Sequence, residues 1–130
     1  MSKIEKFEDI LAWQKARELA KEIYAHAKAG LFAKDFGLRD QIQRASVSIM
    51  GNVAEGCDRG GDKEFIQFLS ISKGSCGEVE SHLYAALDQQ YVSSTEFNRL
   101  YNLADEIGRL LAGFMVYLKH SDMRGNKFKK

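Results

Sequence analysis

The titratable side chains are considered first, because acid–base catalysis and metal binding both depend on them. Three histidines, His26, His82 and His120, lie far apart and belong to no His-Glu-x-x-His pattern. A di-iron bundle needs Glu-x-x-His pairs on two helices, whereas Glu78 precedes His82 by four residues and no second pair exists. Glu78 and Glu80 are two residues apart, and such residues point in different directions on a helix. The sequence therefore predicts no metal site and no catalytic pair of carboxylates.

The cysteines and serines do not form a reactive site in this sequence either. Cys57 and Cys76 match neither a disulfide framework nor a metal-binding motif. We interpret both as small helix-packing residues in a reducing compartment. Residues 70–75 are rich in serine, as phosphate-binding loops are, but they lack the Gly-Lys-Ser/Thr spacing of a P-loop. We therefore expect a protein that is not an enzyme, has no catalytic residues and needs no cofactor.

Several polar residues share a predicted helix with an apolar stripe. Arg44, Asn52 and Glu55 belong to the second predicted helix. If the second and third helices form an antiparallel hairpin around residues 59–60, Arg44 falls within a turn of Glu78. An unpaired charge in such a place would be costly, so we predict a buried or half-buried Arg44–Glu78 contact that fixes the register of the two helices. A functional anion site is the alternative interpretation.

These residues are positioned by four predicted helices. Proline, which breaks helix interiors, is absent from the 130 residues, and apolar residues recur at three- and four-residue steps. Ser93 and Glu96 form a capping box before the fourth helix. The predicted helices cover residues 7–29, 38–56, 61–90 and 94–120. Short connections between amphipathic helices predict an all-α, antiparallel up-down four-helix bundle over residues 1–120, followed by a basic, flexible tail over residues 121–130.

Three of the predicted helices carry features that one bundle core does not require. The second helix has an apolar stripe at Leu38, Ile42, Ala45, Ile49 and Val53. Beside it lies a run of small or polar residues that includes Ser46, Ser48, Gly51 and Asn52. In the third helix, Gly74 and Gly77 suggest close contact with another backbone, since the apolar period continues past them. In the fourth helix, Leu110, Met115 and Tyr117 widen the inner face, and a broad apolar face indicates self-association.

Charge is nearly balanced over the whole chain but not along it. The net charge is +1, which argues against an overall electrostatic grip on nucleic acid. Residues 119–130 nevertheless contain five basic residues against one acid, Asp122, a net charge of +4. Such basic tails bind phosphate backbones, and a solvated, frayed terminus is the alternative. The candidate nucleic-acid-binding residues are Lys119, Arg124, Lys127, Lys129 and Lys130.

The sequence does not suggest export or membrane insertion. Charges occur within the first ten residues and no apolar run follows them, so we expect no signal peptide. The longest charge-free stretch, residues 45–54, is about half the length that a membrane span requires. We therefore expect a cytoplasmic protein with no membrane partner.

Several segments, taken in order, resemble a known family. They are residues 7–16 (FEDILAWQKA), 37–49 (GLRDQIQRASVSI), 52–56 (NVAEG) and 63–69 (KEFIQFL), then Gly74-Ser75 with Glu78 and Glu80. They are similar to the small bacterial four-helix-bundle proteins named for the 23S rRNA intervening sequences in which some are encoded, and often labelled ribosomal proteins. The resemblance covers roughly residues 7–118, and residues 44–56 are its most specific part. The residues assigned to the family motif are Trp13, Gln41, Arg44, Ser48, Asn52, Glu55, Gly56, Glu64, Phe65, Gly74, Ser75, Glu78 and Glu80.

The resemblance implies a four-helix bundle that assembles into a homopentamer, a barrel around a central channel. A structurally related group, the accessory proteins of diversity-generating retroelements, also forms pentamers and binds nucleic acid and a reverse transcriptase. The fourth helix here is similar to theirs from Glu106 into the basic tail. The family has no established enzymatic activity, and its link to rRNA is largely one of gene location. One departure is visible: the family usually has a proline after the aromatic residue of the first connection, whereas Phe32 is followed here by Ala33.

Two main functions follow from these residues and this resemblance. The first is a non-enzymatic homo-oligomer, expected to be a pentamer, that binds structured RNA, DNA or a nucleic-acid-processing protein such as a reverse transcriptase. The alternative is a protein-interaction scaffold without nucleic-acid binding, in which the wide face of the fourth helix and the small-residue face of the second contact other subunits. An enzyme with an atypical site is the third hypothesis.

Overall fold

Four helices account for almost all of the computed structural model, which describes the backbone of residues 4–128 and the side chains of residues 4–121. The helices are α1 (Leu11–Ala27), α2 (Phe36–Asp58), α3 (Asp62–Asp88) and α4 (Ser94–Phe128). Short 3-10 helices at Phe7–Asp9 and Phe32–Lys34 precede α1 and α2. No strand occurs within residues 4–128. The predicted all-α four-helix bundle is therefore confirmed.

The helix ends follow local hydrogen-bonding rules. Asp35 caps α2, because its Oδ1 accepts a hydrogen bond from the backbone N–H of Leu38 at 3.2 Å. The predicted capping box of α4 is present: Ser93 N donates to Glu96 Oε1 at 2.8 Å, and Glu96 N donates to Ser93 Oγ at 3.0 Å. Gly60 has a φ of +85° in the α2–α3 turn, a conformation that glycine adopts without steric cost.

The core is formed by the aliphatic stripes of all four helices. Each helix packs against two neighbours in the described part of the chain, α1 and α3 each lying between α2 and α4. The predicted stripe of α2 is confirmed, with Leu38 half-buried and the other four residues buried. Side chains without solvent exposure come from every helix and include Leu19, Ile42, Ile49, Leu69, Leu83, Leu100 and Ile107. Burying each such aliphatic side chain is worth about 1.5–3 kcal/mol, so the core specifies the bundle.

The two ends of the bundle differ, and we name them here. The loop end contains the α1–α2 connection and the α3–α4 turn, which are joined by a hydrogen bond from Tyr91 Oη to Asp35 Oδ2 at 2.9 Å. The tail end contains residues 4–10, the α2–α3 turn and the last turns of α4. Asp62, Leu118 and Ser121 line one cleft there, and the backbone of α4 continues for seven residues after Ser121.

One predicted boundary is wrong, because α4 does not end near His120. Its backbone is helical to Phe128, eight residues further on. Helix formation propagates easily once the preceding turns are in place, and no proline follows His120 to stop it.

Candidate interaction surfaces

A polar seam joins α2 to α3 at the middle of the bundle. Ser72 Oγ donates a buried hydrogen bond to the carbonyl oxygen of Ile49 at 2.7 Å. One level along, the hydroxyls of Ser75 and Ser48 lie 3.0 Å apart, and Asn52 Nδ2 donates to Ser48 O and Oγ at 2.8 and 3.0 Å. No buried side-chain polar atom within residues 4–121 lacks a partner. Since unsatisfied buried groups are costly, these bonds fix the register of the two helices.

The predicted Arg44–Glu78 contact is wrong. Both side chains are exposed, and among the described residues they form no ion pair within 4 Å. Small serine side chains fill the seam between α2 and α3. The longer side chains of Arg44 and Glu78 therefore point to solvent, where a charge needs no partner. Glu55 is exposed too and pairs at 3.2 Å with Arg59, the residue that follows α2, a contact worth only about 0.3–0.5 kcal/mol.

The outer side of this seam is an exposed surface on which small residues and one aliphatic side chain lie among polar residues. The aliphatic side chain, Ile71, is 54% exposed. A Cβ atom added to Gly51 or Gly74 would meet nothing within 4 Å. We call this surface the seam face, and it consists of Gln41, Arg44, Gly51 and Glu55 on α2 with Ile71, Gly74 and Glu78 on α3.

Only one of the helical glycines in α2 and α3 is required by packing within the chain. At Gly56, a Cβ atom would lie 2.8 Å from both Phe65 Cδ1 and Phe68 Cβ. The close contacts expected at Gly74 and Gly77 are absent from the described chain, because both positions open to solvent. Glycine inside a helix costs up to about 1 kcal/mol relative to alanine. That cost is not offset by internal packing at Gly51, Gly74 or Gly77.

The remaining family-motif residues lie away from the seam. Trp13 is half-buried and its ring centroid lies 5.1 Å from that of Phe7, while Phe65 is 9% exposed. Glu64 is exposed in the first turn of α3. Glu80 is half-buried between α3 and α4, where desolvation, and then repulsion from Asp105, raises the pKa of its carboxyl. These residues therefore do not converge on one site.

The wide face predicted for α4 is partly used by the bundle itself. Leu110 and Met115 are half-buried against the core, whereas Tyr117 is 46% exposed. Tyr117 and Leu110 line a groove of about 460 Å³ between α4 and the start of α1, where Leu11 is 50% exposed. This groove is more apolar than the neighbouring cleft lined by Asp62, Leu118 and Ser121.

The predicted nucleic-acid-binding residues are only partly within the described side chains. Lys119 is exposed where α4 leaves the bundle. The side chains of Arg124 and Lys127 lie outside the described range, as do residues 129–130 altogether. The backbone that carries Arg124 and Lys127 belongs to the C-terminal extension of α4, residues 121–128.

The nucleophilic and metal-binding side chains show no activated arrangement. Burial raises the pKa of the Cys76 thiol to about 12, and burial, then the carboxylate of Asp58, raises the pKa of the Cys57 thiol. A reactive cysteine needs a lowered pKa, so neither thiol is primed for attack. Within the described residues, no three histidine, cysteine, aspartate or glutamate side chains come together as metal ligands. None of the described helices has the length and apolar character needed to span a membrane.

The fold and these surfaces define a small all-α bundle protein whose family-motif residues lie partly in the polar seam and partly on exposed faces. The sequence model of the 23S rRNA-intervening sequence protein matches residues 8–113. The chain therefore belongs to the 23S rRNA-intervening sequence protein family, as the motif residues predicted.

A solved structure supports the same assignment. The chain is similar to a crystal structure from Bacteroides thetaiotaomicron, described as a protein of unknown function from the S23 ribosomal protein family. The TM-score is 0.73 and the sequence identity 25%, with 81% of this chain and 98% of the other covered. No curated protein has a sequence that significantly matches this chain.

Proposed function

We propose that this protein is a non-enzymatic homo-oligomer, expected to be a pentamer, that binds structured RNA. The observation that carries the proposal is the seam face, where two glycines without internal packing and the exposed Ile71 side chain lie among polar residues in the middle of the bundle. The family name, which refers to rRNA, and the basic extension of α4 favour RNA as the ligand.

Self-association follows from what the seam face costs a single chain. Gly51 and Gly74 each weaken a helix by up to about 1 kcal/mol without improving internal packing, and Ile71 remains more than half exposed. Small residues allow a second helix to approach closely, which offsets both costs. Arg44 and Glu78, exposed on the same face, are then available to pair with opposite charges on a neighbouring subunit.

RNA binding follows from the charge carried by the α4 extension. Residues 119–130 have a net charge of +4, and five copies in one assembly would present about +20. Binding that neutralises phosphates releases counterions, so its affinity falls steeply as salt rises. The near-neutral charge of one chain matters less than this clustering.

The oligomer is tested by placing a carboxylate on the seam face. Ile71→Glu should shift the assembly toward monomer in analytical ultracentrifugation, because burying an unpaired charge is costly. Val116→Glu is the matched control, since Val116 is 56% exposed on α4. A monomeric wild-type protein would refute self-association. Dissociation by Val116→Glu alone would assign the interface to α4 instead.

RNA binding is tested by filter binding to a structured RNA across a salt series. The triple variant Lys119→Gln/Arg124→Gln/Lys127→Gln should weaken binding and reduce the salt slope. The control is Arg17→Gln/Lys21→Gln/Lys63→Gln, which removes the same charge from exposed positions elsewhere. A stable oligomer that ignores RNA at low salt would refute RNA binding and favour the scaffold function.

A further inference from the structure

The loop end displays the two most exposed large apolar side chains in the described part of the chain. Leu31 is 69% exposed and Phe36 is 64% exposed. Leu31 lies in the connection between α1 and α2, and Phe36 is the first residue of α2. Neither contributes to the bundle core, so folding of the bundle gives no reason for an aromatic ring at position 36.

The segment that carries these side chains is anchored on both sides. Phe32 is 2% exposed and its ring stacks on Tyr91 with centroids 5.0 Å apart and an interplanar angle of 21°. Tyr91 Oη donates to Asp35 Oδ2, and Asp35 Oδ1 caps α2. The exposure of Leu31 and Phe36 is therefore a feature of a fixed loop.

Phe36 is paired with a planar cation that is itself held in place. The guanidinium carbon of Arg39 lies 4.7 Å from the centroid of the Phe36 ring. Arg39 Nη1 donates to Ala33 O at 3.0 Å, and Arg39 Nε donates to Asp40 Oδ1 at 2.9 Å. An aromatic ring and a guanidinium plane are the two side-chain groups on which unpaired nucleobases stack.

The segment that carries this pair, residues 28–40, has three basic residues and two carboxylates, a net charge of +1. Lys28 and Lys34 are exposed, and neither has a carboxylate within 4 Å among the described residues. Both carboxylates of the segment are engaged, Asp35 with Tyr91 and Asp40 with Arg39. The neighbouring α3–α4 turn, residues 89–93, carries no charge. The loop end thus offers a flat stacking group together with the exposed ammonium groups of Lys34 and of Lys28, whose Nζ lies 6.0 Å from the centroid of the Tyr24 ring.

We propose that the Phe36–Arg39 pair is a stacking platform for an unpaired nucleotide of RNA, with Lys28 and Lys34 contacting the adjoining phosphates. This inference rests on the proposed RNA binding and adds a second contact at the opposite end of the bundle from the basic extension. The two contacts are separated by the length of α2, whose 23 residues span about 35 Å. A lipid surface suits this site less well, because the fixed Arg39–Asp40 pair beside Phe36 would have to enter the apolar layer.

The test compares an RNA hairpin that has an unpaired loop with a blunt duplex carrying the same number of phosphates. Phe36→Ala should weaken hairpin binding about 5- to 150-fold, the range for one stacked base, and should leave duplex binding unchanged. Phe36→Leu keeps an apolar side chain but removes the ring, so it should lose as much as Phe36→Ala. Phe36→Trp should retain hairpin binding. Far-UV circular dichroism and sedimentation confirm that each variant keeps its fold and assembly.

The outcomes separate this site from the proposed function. If the wild-type protein binds neither RNA at low salt, the proposed RNA binding fails. If it binds both RNAs and Phe36→Ala binds the hairpin equally well, only the platform is refuted. Retention of binding by Phe36→Leu, or loss of assembly by Phe36→Ala, would identify an apolar protein contact and overturn stacking. Phe36-dependent sedimentation with phosphatidylserine vesicles, without any effect on hairpin binding, would overturn it in favour of a membrane contact.

Discussion

Alanine at Gly56 should destabilise the protein, although alanine is the better helix former. The added Cβ would lie 2.8 Å from Phe68 Cβ and 3.4 Å from Phe65 Cα, and these atoms cannot move by a side-chain rotation alone. Overpacking of this kind costs about 1–3 kcal/mol. The helix gains up to about 1 kcal/mol in return. The net expectation is a loss of up to about 2 kcal/mol, because α2 and α3 must separate slightly at their turn.

Gly77→Ala is the matched control for this substitution. Gly77 lies inside α3, is exposed, and has nothing within 4 Å of an added Cβ, so only the helix propensity changes. This variant should gain up to about 1 kcal/mol.

Urea denaturation measures both changes as shifts of the midpoint at constant slope. A series of protein concentrations separates them from any stability contributed by assembly. If both variants shift the midpoint in the same direction, steric contact at Gly56 does not decide its identity and the reasoning is refuted.

Three further predictions concern single side chains. Ser72→Ala should lower the free energy of unfolding by about 1 kcal/mol in urea denaturation, since it removes the buried hydrogen bond to Ile49; no change would mean that the bond is energetically neutral. The hydrogen bond that the Glu96 carboxylate accepts from the Ser93 backbone N–H lowers the pKa of Glu96. The stabilisation that this bond gives the protein is therefore present above the ordinary carboxyl pKa and is lost as pH falls through the lowered value. Glu96→Gln should therefore be less stable than wild type in thermal melts at neutral pH, and a difference that persists in acid would contradict this. In the native protein, a thiol reagent near pH 8 should modify half-buried Cys57 and leave Cys76 unreacted, because Cys76 is 3% exposed with a pKa of about 12; rapid reaction of both would refute its burial.

The sequence predicted the parts of this structure that depend on local pattern. The stripe of α2 and the Ser93–Glu96 capping box depend on residues within a few turns of one another, so periodicity and spacing sufficed. The polar seam required knowledge of which residues lie opposite each other. Ser48 and Ser75 are 27 positions apart. A small error in the predicted register of the hairpin is enough to replace their hydroxyl contact with a predicted Arg44–Glu78 ion pair.

Exposure was harder to predict than burial. The sequence predicts only a connection between the helices at residues 7–29 and 38–56, because the residue pattern around Phe36 does not distinguish an exposed aromatic ring from a buried one. Its isolation on the surface becomes visible once Phe32 and Tyr91 are seen to stack beneath the loop. Gly56 and Gly74 are equally hard to tell apart from sequence, since both are glycines within helices. Only the contacts with the opposing helix show that Gly56 is required by packing and Gly74 is not.

The proposed interfaces occupy different parts of the bundle, which removes a conflict between assembly and ligand binding. The seam face lies along the sides of α2 and α3, whereas the Phe36 platform lies at the loop end and Lys119 at the tail end. Subunits that associate through their sides leave both ends accessible. Weak contacts at each end are then repeated in every subunit, and linked contacts raise the overall affinity by effective concentration without any new bond. A chain with a net charge of only +1 is therefore compatible with RNA binding, because the assembly, and not the single chain, would supply the affinity.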